Sequence, residues 1–149
     1  HVDVAWNLEQ REWPVLYEDT ATGEFRGPIE GQVDLRHHAR AIQFAKVKCR
    51  DVLEHLSPNL FFQTMNNCWD LLLPEGILEV QVPEHGSTNA ITDPTHFRGY
   101  TLASFDVLDP TTSFGRKSRF YCTKPWTLLS KSRVPKSTVN LCFLLQRPR

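Results

Sequence analysis

The chain has 149 residues, enough for one domain with a real core and too few for two. Its 17 basic residues balance its 17 acidic ones, which excludes the one-signed field of a nucleic-acid groove or an anionic-membrane binder. No apolar run approaches the roughly 20 residues of a membrane span, and no basic start leads into an apolar secretion signal. Cys49, Cys68, Cys122 and Cys142 are scattered, so free thiols are expected rather than a disulfide framework or a metal knuckle. A cytoplasmic protein fits these features.

Val2, Val4, Trp6 and Leu8 alternate loosely and predict a short strand, closed by a turn at Trp13-Pro14. Tyr17 to Gly31 is rich in Gly, Thr, Glu, Asp and Pro and reads as a long loop. Asp34 is placed to cap a short helix over Leu35–Gln43. Within that stretch His37 and His38 are adjacent, so on a helix they point to different sides and chelate poorly. Phe44–Arg50 reads as a strand.

A helix is predicted next, with Ser57 at the N-cap and Pro58 at its first position. Leu60, Phe61, Met65, Cys68, Trp69 and Leu72 recur at helical spacing, and Pro74 and Gly76 are expected to end the helix. Ile77–Val82 reads as a buried strand, and the chain from Ile91 onward as loop. Thr101 is placed to cap a helix running through Leu108, because Leu102, Phe105 and Leu108 share a face. Phe120–Cys122, Trp126–Ser130 and Val139–Gln146 read as strands, the last two as an antiparallel pair joined by the basic turn Lys131–Lys136.

Two polar clusters punctuate this pattern. Arg50-Asp51 and Glu54-His55 follow the strand Phe44–Arg50, and Asp93, His96 and Arg98 follow the strand Ile77–Val82. In an open α/β sheet, ligands sit beyond the carboxyl ends of the strands, so both clusters should face one cleft. His55 and His96 have the side chain suited to act as a base near neutral pH. The plainer alternatives are that Glu54 and His55 cap the following helix and that Arg98 pairs with Asp93 to brace its loop. His55, His85, Asp93 and His96 are all legitimate metal ligands, but no HxH or HExxH spacing supports a metal site, and none is expected.

The succession DVLEHL, LLLPEG, ILEVQVP and DPTHFRGYTLASF resembles the second half of a class I S-adenosylmethionine-dependent methyltransferase of the small LEHL/DPxH type. The N-terminal VDVAWNLEQREWP resembles the segment that lies near the adenine in that family. The resemblance implies an α/β fold with a Rossmann-like, mostly parallel sheet and an antiparallel C-terminal strand pair. The first strand–helix unit, with its glycine-rich turn, has no counterpart, so a single truncated domain over residues 1–149 is expected, with 17–43 as a loop insertion.

The implied activity is methyl transfer from S-adenosylmethionine to a small-molecule or carbohydrate-like acceptor. Asn7, Arg50 and Asp51 would lie near the cofactor, Asp93, Arg98 and Tyr100 near the acceptor, and His96 or His55 would be the base. The competing expectation is a non-catalytic binding module completed by a partner or by homodimerisation through an exposed sheet edge.

Overall fold

The computed structural model describes residues 17–19, 24–26, 44–134 and 140–149. The expected strand at Val2–Leu8, the helix over Leu35–Gln43 and Asn7, Trp6 and Trp13 lie outside the described residues. The chain divides into two compact units, His1–Ile42 and Gln43–Arg149. In the first, β1 (Tyr17–Asp19) pairs antiparallel with β2 (Glu24–Arg26), so part of the stretch read as loop is a short hairpin.

The second unit is built on a four-stranded mixed sheet of β3 (Phe44–Arg50), β4 (Leu72–Pro83), β5 (Thr127–Arg133) and β6 (Asn140–Gln146), in the order β3-β4-β6-β5. β3 and β4 run parallel, and β6 is antiparallel to both β4 and β5. The parallel pair needs a crossover, which α1 (Phe61–Leu71) supplies. The α/β fold and the antiparallel C-terminal pair are as the sequence suggested.

One face of the sheet makes the core. Leu78, Val80 and Val82 alternate along β4, and Leu141, Phe143 and Leu145 along β6; all six are fully shielded from water. α1 buries Phe61, Thr64, Met65 and Cys68, of which Phe61, Met65 and Cys68 belong to the 3.6-residue stripe read from the sequence. Phe105 packs on Phe143 with ring centroids 4.3 Å apart, and Phe61 and Tyr100 flank it at 5.8 and 5.7 Å.

Several boundaries differ from the expected ones for local reasons. Pro58–Leu60 forms a 3-10 turn, Ser57 makes no side-chain cap, and α1 starts only at Phe61. α1 stops at Leu71, before Pro74, because Leu72 turns extended and joins β4 opposite Phe44. Arg147 closes that helix end: its guanidinium lies 3.8 Å over the Trp69 ring and donates to the Trp69 and Leu72 carbonyls.

Ile91 is not in a loop but in a one-turn helix, α2 (Thr88–Thr92), capped by Ser87, whose Oγ accepts from the Ala90 N–H. Leu102, Phe105 and Leu108 do not lie on an α-helix. The segment coils by i→i−3 hydrogen bonds, Ser104 to Thr101, Asp106 to Ala103 and Leu108 to Phe105. Spacing by threes is what a three-residue turn aligns on one side. Phe120–Cys122 is a turn rather than a strand; Tyr121 donates its N–H to Ser118 and stacks on Phe62 at 5.4 Å. α3 (Ser113–Ser118) precedes it, capped by Thr112 Oγ1.

Candidate functional site

β3 and β4 point the same way, so their carboxyl ends, Arg50 and Pro83, open on one edge. β3 is extended by the Asp51 N–H, which donates to Gln81 O at 2.9 Å. The chain then reverses at Asp51 itself, whose φ of 52° lies in the left-handed region a non-glycine residue seldom occupies. That kink turns the next residues, a 3-10 turn at Leu53–His55, across the strand end. On the other side, Gly86 at φ 81° lets the chain leave β4 and enter α2.

The two segments are stitched by backbone bonds. Phe97 N–H donates to Glu54 O at 2.8 Å, Tyr100 N–H to Pro83 O at 2.9 Å, and His85 N–H to Tyr100 O at 2.7 Å. Tyr100, 2% exposed, drives its ring into the core and donates its hydroxyl to Leu53 O at 2.8 Å. It braces the loop from beneath rather than lining an acceptor pocket. Gly99 permits the close approach: a Cβ there would lie 2.6 Å from His85 Cα.

The result is an open cleft of about 620 Å³ whose lining includes Asp51, Glu54, His55, Asp93, His96 and Asn140. Glu54 is only 1% exposed, and its Oε1 lies 4.0 Å from His96 Nε2. His96 Nε2 is also 3.8 Å from Asp93 Oδ2. The His55 and His96 rings meet edge to face, centroids 4.5 Å apart at 73°. Glu54 Oε2 and His96 Nδ1 are buried without a hydrogen-bond partner among the described residues.

Hydrogen bonds fix the state of the neighbours. Thr95 donates both its N–H and its hydroxyl to Asp93 Oδ1, at 2.8 and 2.6 Å. The Thr95 hydroxyl first, then its N–H, hold the Asp93 carboxyl below its ordinary value. Because the Thr95 proton is committed to Asp93, Thr95 Oγ1 can only accept from His55 Nδ1, 2.9 Å away. In its neutral form His55 would thus carry its proton on Nδ1 and leave Nε2 bare. Burial, reinforced by Asp51 and opposed by the turn's own backbone hydrogen bond and the two imidazoles, raises the Glu54 carboxyl.

The remaining site candidates divide. Asp51 lines the cleft, and its Oδ1 accepts from Asn140 Nδ2 at 3.2 Å. Arg50 is exposed and in register with Gln81, on the sheet face opposite the core. Arg98 does not reach Asp93; its guanidinium lies 4.7 Å over Phe61 and 5.0 Å over Tyr100, and its Nε donates to Tyr100 Oη at 3.2 Å. His85 is exposed and apart from the cluster. Asn7 lies outside the described residues. Glu54 was picked out from the sequence with His55 as part of a polar cluster but was given no role of its own, and Asn140 was not singled out at all.

No family profile and no curated protein sequence matches the chain. Among solved structures it is similar to the N-methyltransferase NodS from Bradyrhizobium japonicum WM9 in complex with S-adenosyl-L-homocysteine, at 14% identity and a TM-score of 0.50. That match covers 80% of this chain and 54% of NodS. A second NodS structure matches at 13% identity and a TM-score of 0.47, over 72% of this chain and 53% of that one. The fold is thus α/β and Rossmann-like, similar to that of this N-methyltransferase, and the chain spans about half the length of the structures it matches. Among the described residues no helix is long and apolar enough to cross a membrane.

Proposed function

We propose that this chain forms the carboxyl-edge part of an S-adenosylmethionine-dependent methyltransferase site, acting on a small-molecule or carbohydrate-like acceptor. The observation that carries the reading is the juxtaposition, in one cleft beyond the ends of two parallel strands, of a kinked Asp51 with the Glu54–His55–His96 cluster. The likeness in fold to an enzyme captured with S-adenosyl-L-homocysteine supports it. The Asp51 end of the cleft is assigned to the cofactor, and the histidine end to the acceptor.

Methyl transfer is an in-line displacement. An acceptor lone pair forms the new bond to the methyl carbon, the carbon–sulfur bond breaks, and sulfur keeps the pair as a neutral thioether. The protein's main contribution is alignment, worth up to about 7–11 kcal/mol when the reacting atoms are well placed. The acceptor's proton goes to an imidazole nitrogen, His96 or the bare Nε2 of His55, which adds roughly 10²–10⁴-fold.

Thermal unfolding with and without S-adenosyl-L-homocysteine tests the reading. At ~100 times its Kd the ligand should add about 2.7 kcal/mol of stability. Asp51→Ala should abolish that shift. An unfolding midpoint that stays constant at all ligand concentrations contradicts the assignment of a cofactor site to this chain.

A further inference from the structure

We propose that Glu54, His55 and His96 form a binding site for one divalent transition-metal cation. The site stands on its own geometry and does not depend on the methyl-transfer reading. One ligand atom from each of the three lies within 4.8 Å of the others. Two imidazole nitrogens and a carboxylate oxygen suit zinc, cobalt, manganese or iron in the divalent state, and suit magnesium or calcium poorly, since those prefer all-oxygen shells.

Three features distinguish this cluster from a chance meeting of polar side chains. First, Glu54 is 1% exposed and its Oε2 has no partner among the described residues, so a carboxyl stands buried with one oxygen unbonded. Such a group is costly unless a proton or a cation joins it. Second, the His55 ring is anchored at one nitrogen. Its Nδ1 bonds Thr95, and Thr95 is held by Asp93, which in the neutral ring leaves Nε2 free to ligate. A carboxylate behind the outer nitrogen of a ligating histidine is the arrangement that fixes metal-binding imidazoles. Third, the Glu54–Phe97 backbone bond ties the two ligand-bearing segments together, so the site is held before any ion arrives.

The distances need only a small adjustment. Bonds of roughly 2.0–2.2 Å place two ligands of one ion about 3–3.4 Å apart. Glu54 Oε1 and His96 Nε2 now stand 4.0 Å apart, and Asp93 Oδ2 is within reach of the same point at 3.8 Å from His96 Nε2. No spacing rule finds this site, because its ligands come from two loops 40 residues or more apart and Glu54-His55 is an adjacent pair. With an ion in place, both imidazoles become ligands rather than free bases.

Cobalt(II) titrated into the metal-free 149-residue chain, followed by its visible absorption, and zinc titrated calorimetrically provide the test. One ion per chain is expected, with the visible band of an imidazole-ligated centre. Glu54→Gln, His55→Ala and His96→Ala should each weaken binding at least tenfold, while His85→Ala, outside the cluster, should bind as the parent does. Glu54→Gln preserves shape and removes a buried charge, so its loss of binding with an undiminished unfolding midpoint separates ligation from misfolding. Absence of one-to-one uptake would overturn the proposal. So would uptake that survives all three substitutions or falls equally in His85→Ala.

Discussion

The Glu54 carboxylate stands 4.0 Å from His96 Nε2 while its own backbone carbonyl accepts the Phe97 N–H at 2.8 Å. One residue thus supplies both the hinge pin between the two loops and the buried charge at the floor of the cleft. The loops come from the ends of neighbouring parallel strands, so their meeting follows from sheet topology and not from nearness in sequence.

The buried Glu54 carboxyl should write itself into the pH dependence of stability. Burial raises its folded-state value above the unfolded one, so the folded chain holds the proton more tightly. The associated stability is fully present below the unfolded value of about 4.3 and is lost as pH rises through the higher folded value. Glu54→Gln should remove that decline and make the metal-free chain at least as stable as the parent at neutral pH. Urea unfolding across pH 4 to 8 (roughly the window either side of the shift) checks it; a less stable variant at every pH would refute it.

Asp109 should behave in the opposite sense. It is buried, and its carboxylate accepts from Leu128 N–H at 2.8 Å and from the Thr111 N–H and hydroxyl at 2.8 and 2.7 Å. Burial pushes its carboxyl up, but these bonds outweigh it and leave the group below its ordinary value. Its stabilisation is present above the unfolded value and is lost as pH falls through the folded one. Asp109→Ala should cost about 2–3 kcal/mol at neutral pH, measured by chemical denaturation, and the deficit should shrink in acid.

Gly99→Ala tests how the histidine loop is seated. The new methyl would meet His85 Cα at 2.6 Å and Ala90 Cβ at 3.0 Å, both parts of packed backbone or core. The loop must shift, costing about 1–3 kcal/mol and moving His96 off Glu54. Reduced stability with a changed His96 imidazole resonance is expected; an unaltered resonance would show that the loop is seated in another way.

Tyr100→Phe separates bracing from binding. It removes the hydroxyl that bonds Leu53 O and that accepts from Arg98 Nε. A loss of about 1–3 kcal/mol is expected from the unpaired groups left behind, with binding of any cleft ligand little changed. A variant with full stability but weakened ligand binding would return Tyr100 to the acceptor pocket.

What was legible in the sequence follows from where the decisive forces lie. The Ile77–Val82 part of β4 showed as an apolar run because burial acts residue by residue, and α1 showed through its stripe of Phe61, Met65 and Cys68; β3 was read as a strand although none of its residues is buried. The end of α1 did not show: Leu71, Leu72 and Leu73 fit a helix or a strand equally, and pairing of Leu72 with Phe44 decided it. His55, Asp51, Asp93 and His96 were picked out as polar residues after strands, and the cleft gathers them. Arg50 was placed by the same rule and Tyr100 by the family resemblance, but pleat alternation sets Arg50 on the opposite face, and the aromatic core takes Tyr100. Glu54 was read with His55 as a cleft-facing pair, with helix capping as the plainer alternative; its burial could not be read, because it arises from the loop that folds over it.

The most direct test of the central claim is a titration of ¹⁵N-labelled protein with S-adenosyl-L-homocysteine, following backbone amides by nuclear magnetic resonance. The account predicts saturable shifts concentrated at Asp51, Val52, His55 and Asn140, around the carboxyl end of β3. Shifts that are absent, or that fall only on residues away from this edge, would contradict it.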